Sequence, residues 1–494
     1  MVWPLIALGT RVGASLHLPS GIATVLALST AQALASTLLA LAVGLPLAGV
    51  LARYRFRGRA LAQALLTVPF VLPTVVVALA FRSLLGASLP QGLVLVIVAH
   101  AYVNLAVVVR VVGSTWSQLD DSYERVARSL GADAFTTLRT VTLPSLRGSV
   151  LSAAAIVFTF SFTSLGIALL LGDGSTRTLE AVVLRQAGTL LDFPGAAATA
   201  LLQLVVVVVV LAAGGLLSVR SPRRPLRPPA PSDPLGRARV IVPLVALTGV
   251  VIVVLPLVAL IIASLHSTQG WTLQWWQSLG RVDAGTDRIG SPLSALGMSL
   301  AYAVTTAVVA GIVGVLAAIT VLTHGRTRAI ALLAMAPLGV SAATLGLGTV
   351  LAFGRPPIDL RTSGLLVPLA HALVAVPLVV AVAAPALRAA DPRRALVAAS
   401  LGAGPTRAFL AAYGHVLRTV AVAAAGLAAA VSLGEFGAAS FLARAGTPTV
   451  PLQIARLLAR PGEQAYGVAA ALAVILVLLT LALTLSADRM GRRT

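Results

Sequence analysis

The chain has 494 residues, of which 58% are hydrophobic and 10% are charged, and its mean hydropathy is +0.98. This composition excludes an ordinary soluble domain and predicts an all-α, polytopic membrane protein. Cysteine is absent, and all 36 basic residues behind the net charge of +21 are arginine, which excludes a disulfide framework, a thiolate metal site and the lysine of a P-loop ATPase.

Apolar stretches long enough to cross a bilayer, about 20 residues each, recur from one end of the chain to the other. They predict about eleven transmembrane helices. These lie near residues 24–52, 62–84, 91–117, 147–171, 193–218, 239–264, 292–322, 329–353, 364–387, 418–442 and 466–486.

Arginines gather in every second loop between these spans. The clusters begin at Arg53, Arg125, Arg220, Arg326, Arg388 and Arg489. Because positive charge stays on the cytoplasmic side, we expect these loops and the C-terminus to be cytoplasmic and the N-terminus to be external. The arginines therefore mark topology in a lipid bilayer, and we expect no nucleic-acid partner.

The first residues, MVWPLIALGTRVG, are apolar but too short to span a membrane. They are either a short external tail or the remnant of an additional first helix absent from this sequence. Further on, residues 220–236 are rich in proline and arginine, which predicts a solvated cytoplasmic linker. We expect a first half at 1–219, a linker at 220–238 and a second half at 239–494.

The two halves repeat each other in sequence. AHA at 99–101 recurs at 370–372, and SLGA at 129–132 recurs at 400–403. Ser161 and Gly166 likewise recur as Ser432 and Gly437, and every pair is offset by 271 residues. Six predicted spans separate equivalent positions, so we expect two parallel halves related by an axis along the membrane normal.

The copied SLGA lies in two polar loops, residues 120–145 and 389–417. In the first loop, Asp121 and Glu124 form a capping pair for a short helix. Its apolar face comprises Tyr123, Val126, Ala127 and Leu130. Such a helix could simply lie on the bilayer surface, but a surface helix requires no glycine at a fixed point and no second copy.

The rest of the first loop predicts a turn and a second helix. Gly131 can adopt a left-handed turn, Asp133 can cap the following helix, and Pro144 is expected to end it at the membrane. The second loop, at 389–417, opens with Asp391 as a cap and Pro392 at the first helical position, and it turns at Gly402. We therefore expect two docking elements built as helix, turn and helix.

The stretch ERVARSLGADAFTTLRTVTLP, residues 124–144, resembles the EAA loop of permease subunits in binding-protein-dependent ABC importers. In that family the loop is the coupling helix, which sits in a groove on the ATPase subunit. The resemblance implies this role for Glu124, Ala127, Gly131, Leu143, Pro144, Ala398, Ala399 and Gly402. The second copy has His415 where proline would stand and no acidic residue matching Glu124, so we expect the two halves to dock unequally.

Over nearly the whole chain, the two halves resemble thiamine-type and iron(III)-type importer permeases. LGDGSTRTLEAVVLRQAGTLLDFPGAAATALLQL, at 171–204, is most similar to the thiamine type, whereas SLGEFGAASFL, at 432–442, fits both. The resemblance implies import of thiamine or a related derivative, with iron(III) as the alternative. Its implied partners are two ATPase subunits that bind ATP and Mg²⁺ and an extracytoplasmic solute-binding protein, with no cofactor or catalytic residue in this chain.

Polar residues within the spans are candidates for the translocation pathway, because burying them in lipid is costly. Glu435 and Asn104 are the two that we single out; Glu435 could instead make a packing contact with a neighbouring helix. His100 and His371 occupy equivalent repeat positions and are read as helix packing, so no metal site is expected. Three tryptophans predict an external aromatic belt: Trp271, Trp275 and Trp276.

Two other classes of protein fit less well. A secondary transporter with parallel repeats would need a proton or sodium relay, and few carboxylates lie within the spans. An integral membrane enzyme would need a catalytic motif, and neither HExxH nor GxSxG is present. The resemblance therefore remains the best reading, and it implies a multi-pass permease subunit of the inner cell membrane.

Overall fold

The computed structural model of the protein describes residues 3–12, 18–86, 88–120, 122–218, 231–281, 291–323, 337, 340–355, 358–360, 363–444, 446 and 448–492. Almost all of this part of the chain is helical, and its four strands are two residues long each and form two small antiparallel hairpins. The all-α class is confirmed.

The elements of the first half run in the following order. They are α1 (Trp3–Val12), α2 (Ile22–Arg53), α3 (Arg59–Val71), α4 (Thr74–Leu85), α5 (Leu93–Trp116), α6 (Ser122–Ser129), α7 (Ala134–Thr137), a π-turn (Leu138–Thr142), α8 (Leu143–Phe162), α9 (Leu165–Leu171), α10 (Leu179–Gly188) and α11 (Phe193–Ser218).

The second half follows the same plan from α12 onward. Its elements are α12 (Ala238–Leu265), β1 (His266–Ser267), β2 (Gly270–Trp271), α13 (Gln274–Gln277), a 3-10 turn (Ser278–Gly280), α14 (Pro292–Thr323), α15 (Ala342–Phe353), β3 (Gly354–Arg355), β4 (Ile358–Asp359), α16 (Leu366–Ala389), α17 (Arg393–Ser400), α18 (Pro405–Gly434), α19 (Gly437–Leu442), α20 (Val450–Leu458) and α21 (Glu463–Arg492).

Nine helices in the described ranges are long and apolar enough to span a membrane, and a tenth candidate is the bent pair α3 and α4. The predicted span at 62–84 thus corresponds to two helices with a sharp bend between them. Leu72 and Pro73 adopt extended backbone angles, and the helix axis bends by 108° between α3 and α4. Proline lacks an amide donor and disfavours the α conformation of the residue before it, which explains the break. Of the predicted span at 329–353, residues 329–336, 338 and 339 lie outside the described residues.

Two further predicted spans are interrupted at equivalent places. The first half breaks between α8 and α9 at residues 163–164, and the second breaks between α18 and α19 at residues 435–436. Gly434 packs against Pro73, and Gly166 lies against Phe436, so the two interruptions meet. We call this contact, formed by α4 and α9 with α19 and the end of α18, the half junction.

Each half also extends one helix onto the other. α12, the first helix of the second half, packs against α2, α3 and α4 of the first half and against α21. The short helix α1 packs in the corresponding direction against α15, and it also contacts α11. Leu8 of α1 is fully buried, so these first residues pack against the helix bundle.

The three tryptophans predicted as an aromatic belt occupy different environments. Trp271 is exposed, as a belt residue would be, but Trp275 is buried against Gly467 and its indole donates to the His266 carbonyl at 3.2 Å. The Trp276 indole donates to the Ser264 carbonyl at 3.0 Å. The belt prediction is therefore wrong for Trp275, because close packing against a glycine of α21 encloses its ring.

Candidate functional site

The first polar loop, residues 120–145, which we call the first coupling loop after the role that its resemblance implies, has the predicted helix, turn and helix. Helix α6 ends at Ser129, and the turn that follows contains Gly131, whose φ of +86° lies in the left-handed region that favours glycine. The Gly131 amide donates to the Arg128 carbonyl, and the Ala132 amide donates to the Ala127 carbonyl, both at 3.0 Å. These two bonds satisfy carbonyls that the end of a helix would otherwise leave unpaired.

Helix α7 begins directly after this turn. The Thr136 amide donates to Asp133 Oδ1 at 2.8 Å, which is the predicted cap. Hydrogen bonds from the Thr136 hydroxyl and amide lower the pKa of Asp133, so the cap stays charged at neutral pH. The other predicted cap, Asp121, lies outside the described residues. At the start of α6, the Ser122 amide donates to Asp120 Oδ1 at 2.9 Å.

Helix α6 turns its apolar side chains outward. None of its residues is buried, and Leu130, just after it, is 83% exposed. The other large exposed apolar side chains of this loop are Tyr123, Val126, Phe135 and Leu143. A cluster of exposed apolar side chains on a polar loop is typical of a surface that binds another protein.

Glu124 points the other way, into the bundle. Its Oε1 accepts hydrogen bonds from Arg53 Nη2 at 2.9 Å and from the Thr142 hydroxyl at 2.8 Å. The side chains of Arg53 and Glu124 are 16% and 14% exposed, whereas Arg128, 3.8 Å from the other Glu124 oxygen, is 60% exposed. Glu124 therefore joins the loop to the end of α2 and to the π-turn, while the apolar side chains stay outside.

Leu143 and Pro144 lie inside a continuous helical run, not at its end. Helix α7 leads through the π-turn into α8, so the prediction that Pro144 ends the second short helix is wrong. Pro144 occupies the first turn of α8, where a missing amide is tolerated, because the wider π-turn before it already departs from the α-helical bonding pattern. Leu143 is 36% exposed.

The second coupling loop, residues 389–417, repeats the turn. Gly402 also has a φ of +86°, its amide donates to the Ala399 carbonyl, and the Ala403 amide donates to the Ala398 carbonyl, both at 3.0 Å. Leu401 is 83% exposed, like Leu130, and Leu396 and Val397 are exposed beside it. The Arg393 amide donates to Asp391 Oδ1, as the predicted cap requires.

The buried polar residues of the repeat make helix-packing contacts. His371 Nδ1 is 2.8 Å from the Ser432 hydroxyl, and Asn104 Nδ2 donates to Ser161 at 3.2 Å. His100 Nδ1 is 2.8 Å from Gln32 Nε2. Asn104 thus lies inside the first half, between α5 and α8. No cluster of three metal-binding side chains occurs among the described residues.

Glu435 lies at the half junction, between α18 and α19, and is 9% exposed. Its Oε1 accepts a hydrogen bond from the Ala438 amide at 3.0 Å, so the carboxylate caps the first turn of α19. From the sequence, the alternative to a pathway role was that Glu435 makes a packing contact with a neighbouring helix. Its hydrogen-bond donor, Ala438, lies instead in α19, the helix that directly follows Glu435 in the chain.

The sequence reasoning missed a polar cavity beside α3, about 650 Å³ in volume. It lies at the end of the bundle that carries the coupling loops. Its polar lining comes from Arg59, Gln63, Thr67, Arg110, Ser114, Ser117 and Thr484. Arg59, Gln63 and Thr67 recur every four residues, so a polar stripe on one face of an apolar helix was the signal in the sequence.

Sequence comparison relates the chain to transport proteins. A family model described as the binding-protein-dependent transport system inner membrane component matches residues 40–221, which include the first coupling loop. The sulfate transport system permease CysT of Salmonella typhimurium is 32% identical over 171 residues, and the match covers 32% of this chain and 62% of that protein. A probable molybdenum ABC transporter permease of Haloferax volcanii is 34% identical over 152 residues, or 29% of this chain and 56% of that protein.

A third relative matches almost the whole chain. The thiamine transport system permease ThiP of Brucella abortus is 26% identical over 493 residues, which cover 93% of this chain and 86% of that protein. Its match extends through both halves and both coupling loops. Residues 40–221 therefore match the domain of the inner membrane components of binding-protein-dependent transport systems, and almost the whole chain is similar to a permease that has two such halves.

Proposed function

We propose that the chain is the membrane permease of an ATP-driven importer, with thiamine or a related derivative as its solute. The observation that carries the proposal is the pair of exposed apolar turns, Leu130–Gly131 and Leu401–Gly402, at equivalent places in the two halves. Each turn would seat one ATPase subunit, so two subunits would bind one chain. A secondary transporter would have no use for these two surfaces.

The contacts of the first loop indicate how motion of an ATPase subunit would reach the transmembrane helices. An ATPase subunit that moves Leu130 moves α6, and Glu124 passes this motion to Arg53 at the end of α2. The ATPase subunits would bind ATP and Mg²⁺, so this chain needs no cofactor of its own. Both loops and the C-terminus would then lie in the cytoplasm, and the opposite face would receive a solute-binding protein.

The solute would pass between the halves. Glu435, at the half junction, remains our candidate for the pathway, and the cavity beside α3 offers a polar exit at the loop end. Asn104 is a weaker candidate, since its amide nitrogen already bonds Ser161 and the His100 carbonyl. Thiamine is favoured because ThiP of Brucella abortus matches both halves, whereas the sulfate and molybdenum permeases match about 30% of the chain.

The test is reconstitution of the chain with its ATPase and its solute-binding protein in lipid vesicles. We expect ATP-dependent uptake of labelled thiamine and no uptake without the ATPase. Ferric iron, sulfate and molybdate are assayed in parallel. Uptake of one of these without thiamine would replace the proposed solute, and uptake that needs no ATPase would contradict the proposed class of transporter.

A further inference from the structure

A buried polar cluster lies beside the half junction, on α10 and α11, away from both coupling loops. Glu180, in the first turn of α10, is fully buried, and Gln203 of α11 is 2% exposed. Gln203 Nε2 donates to Glu180 Oε1 at 2.5 Å. Helix α10 also contacts α15 and α19, so the cluster faces the second half of the chain.

Two oxygens of this cluster are unpaired. Glu180 Oε2 and Gln203 Oε1 are buried and have no hydrogen-bond partner among the described residues. Gln203 lines a narrow crevice together with Thr163 of the first half and Ser341 and Thr344 of the second. The Ser341 side chain lies close to the Glu180 carboxyl group. A buried oxygen without a donor is costly, and the crevice has no room for a water molecule in this conformation, so a donor or a cation could reach these two atoms only when the crevice widens.

The hydroxyl groups around the crevice offer oxygen atoms and few free protons. The Thr163 hydroxyl already donates to the Thr159 carbonyl at 2.8 Å. The Ser341 hydroxyl donates to the Thr344 hydroxyl at 2.8 Å, and it accepts from the Thr344 amide at 2.9 Å. Acceptors therefore outnumber donors around the crevice, which favours a positively charged occupant over an anion.

The charge of the cluster leads to the same conclusion. The ion pairs seen among the described residues join Arg53 and Arg128 to Glu124, and neither of them includes Glu180 or Glu435. The two carboxylates come from different halves, and Glu435 lies near enough to repel a charge on Glu180. Two acidic groups that share a low-dielectric site are stabilised by a cation between or beside them.

Comparison of the two halves shows which features of this region both halves share and which occur only in the first half. In the first half the Leu179 amide donates to the Ser29 hydroxyl at 3.0 Å, and in the second the Val450 amide donates to the Ser299 hydroxyl at 2.8 Å. The backbone arrangement is thus repeated. The positions equivalent to Glu180 and Gln203 are Pro451 and Val474, so this arrangement forms without the acid and the amide.

We propose that Glu180 and Gln203, with Ser341 and Thr344 of the opposite half, form a cation site beside the half junction. Its ligand is either the cationic group of the transported solute or a free inorganic cation such as sodium. The proposal rests on the proposed function in that the solute passes between the halves. In the present conformation the crevice is too narrow for a solute or for an inorganic cation, so either ligand would enter when the halves separate.

Binding is tested on the full chain purified in detergent, without the ATPase. The midpoint of thermal unfolding is measured with thiamine chloride, with sodium chloride and with the chloride of the bulky cation N-methylglucamine. We expect thiamine or sodium to raise the midpoint of the wild type and to leave Glu180→Gln unchanged. A rise from thiamine identifies the solute as the ligand, and a rise from sodium alone identifies an inorganic cation. No rise with either, or an equal rise in Glu180→Gln, overturns the proposal.

Transport by the complete importer gives a second readout. We expect Glu180→Gln to lower thiamine uptake at subsaturating concentration about tenfold, with Glu180→Asp between it and the wild type. The matched control is Glu463→Gln, a carboxylate that bonds Thr268 at the far end of α21 and should transport normally. If wild-type vesicles show no ATP-driven uptake of any solute, the proposed function fails while the unfolding experiment still decides on the cation site.

Discussion

The two coupling loops share a docking turn but differ in how they are attached to the bundle. Gly131 and Gly402 have the same φ, the same pair of closing hydrogen bonds and an equally exposed leucine beside them. Only the first loop has a carboxylate, Glu124, that bonds the end of another helix; the equivalent position in the second loop is Ala395. Both halves therefore have the same exposed turn, whereas the hydrogen bond that ties the loop to α2 occurs in the first half.

The helices that follow the turns differ as well. After Gly131 the chain passes through the π-turn before α8, whereas after Gly402 it enters the unbroken helix α18 at Pro405. The second loop is thus a direct extension of a long helix. The first loop joins its long helix through the π-turn and is held in addition by the side chain of Glu124, so its position depends partly on hydrogen bonds that substitution can remove.

The largest effect should come from the docking leucines. Burying a leucine contributes about 1.5–3 kcal/mol, so we expect Leu130→Asp and Leu401→Asp each to weaken ATPase binding roughly tenfold or more. Binding is measured with the purified ATPase, and Leu235→Asp, an exposed leucine near the linker, is the control. If only one of the two variants weakens binding, the loops do not share a docking surface.

The turn glycines test the anchoring difference directly. A side chain in the left-handed region costs about 1–2 kcal/mol, and no atom lies within 4 Å of an added Cβ at either glycine, so Gly131→Val and Gly402→Val carry the same local strain. We expect about a tenfold loss of uptake for Gly131→Val, which also displaces Glu124, and a few-fold loss for Gly402→Val. Gly21→Val, equally strained but remote from both loops, is the control. Equal losses would contradict the inequality of the halves.

Removal of the anchor should loosen one loop and leave the other unchanged. Glu124→Ala removes hydrogen bonds to Arg53 and Thr142 that together contribute about 1–3 kcal/mol to the position of the loop. We expect faster amide hydrogen exchange in residues 122–137 and no change in residues 393–403. Arg128→Ala, which removes the long and exposed contact, should have little effect. Faster exchange in both loops would mean that the anchor is not local.

The smallest effect should come from Pro144→Ala. The new amide lets α7 and α8 approach a regular α-helix like α18, which favours the helix but rotates the first loop slightly. We expect an unchanged or higher unfolding temperature and about a twofold fall in uptake. A large loss of uptake would show that the π-turn matters as much as the docking turn.

Much of this arrangement could be read from the sequence, because it depends on local rules. Most of the spans follow from apolar length, and Gly131, Asp133 and Gly402 follow from turn and cap chemistry. The break at Pro73 was missed because neighbouring apolar residues masked it. The inward direction of Glu124 and the pairing of Glu180 with Gln203 depend on helices distant in sequence, which a single sequence does not bring together.

The packing of α12 on the opposite half of the chain has a consequence for assembly. Since α12 belongs to the second half but packs against α2, α3 and α4 of the first, neither half is complete by itself, and the linker is not what holds the two together. Two separately expressed fragments, cut within residues 221–230, should therefore reassociate into one complex that purifies through a tag on either fragment. Recovery of each fragment alone would contradict this expected reassociation. Fusion of the two halves in one chain would then ensure that the two interlocking parts are made in equal amounts.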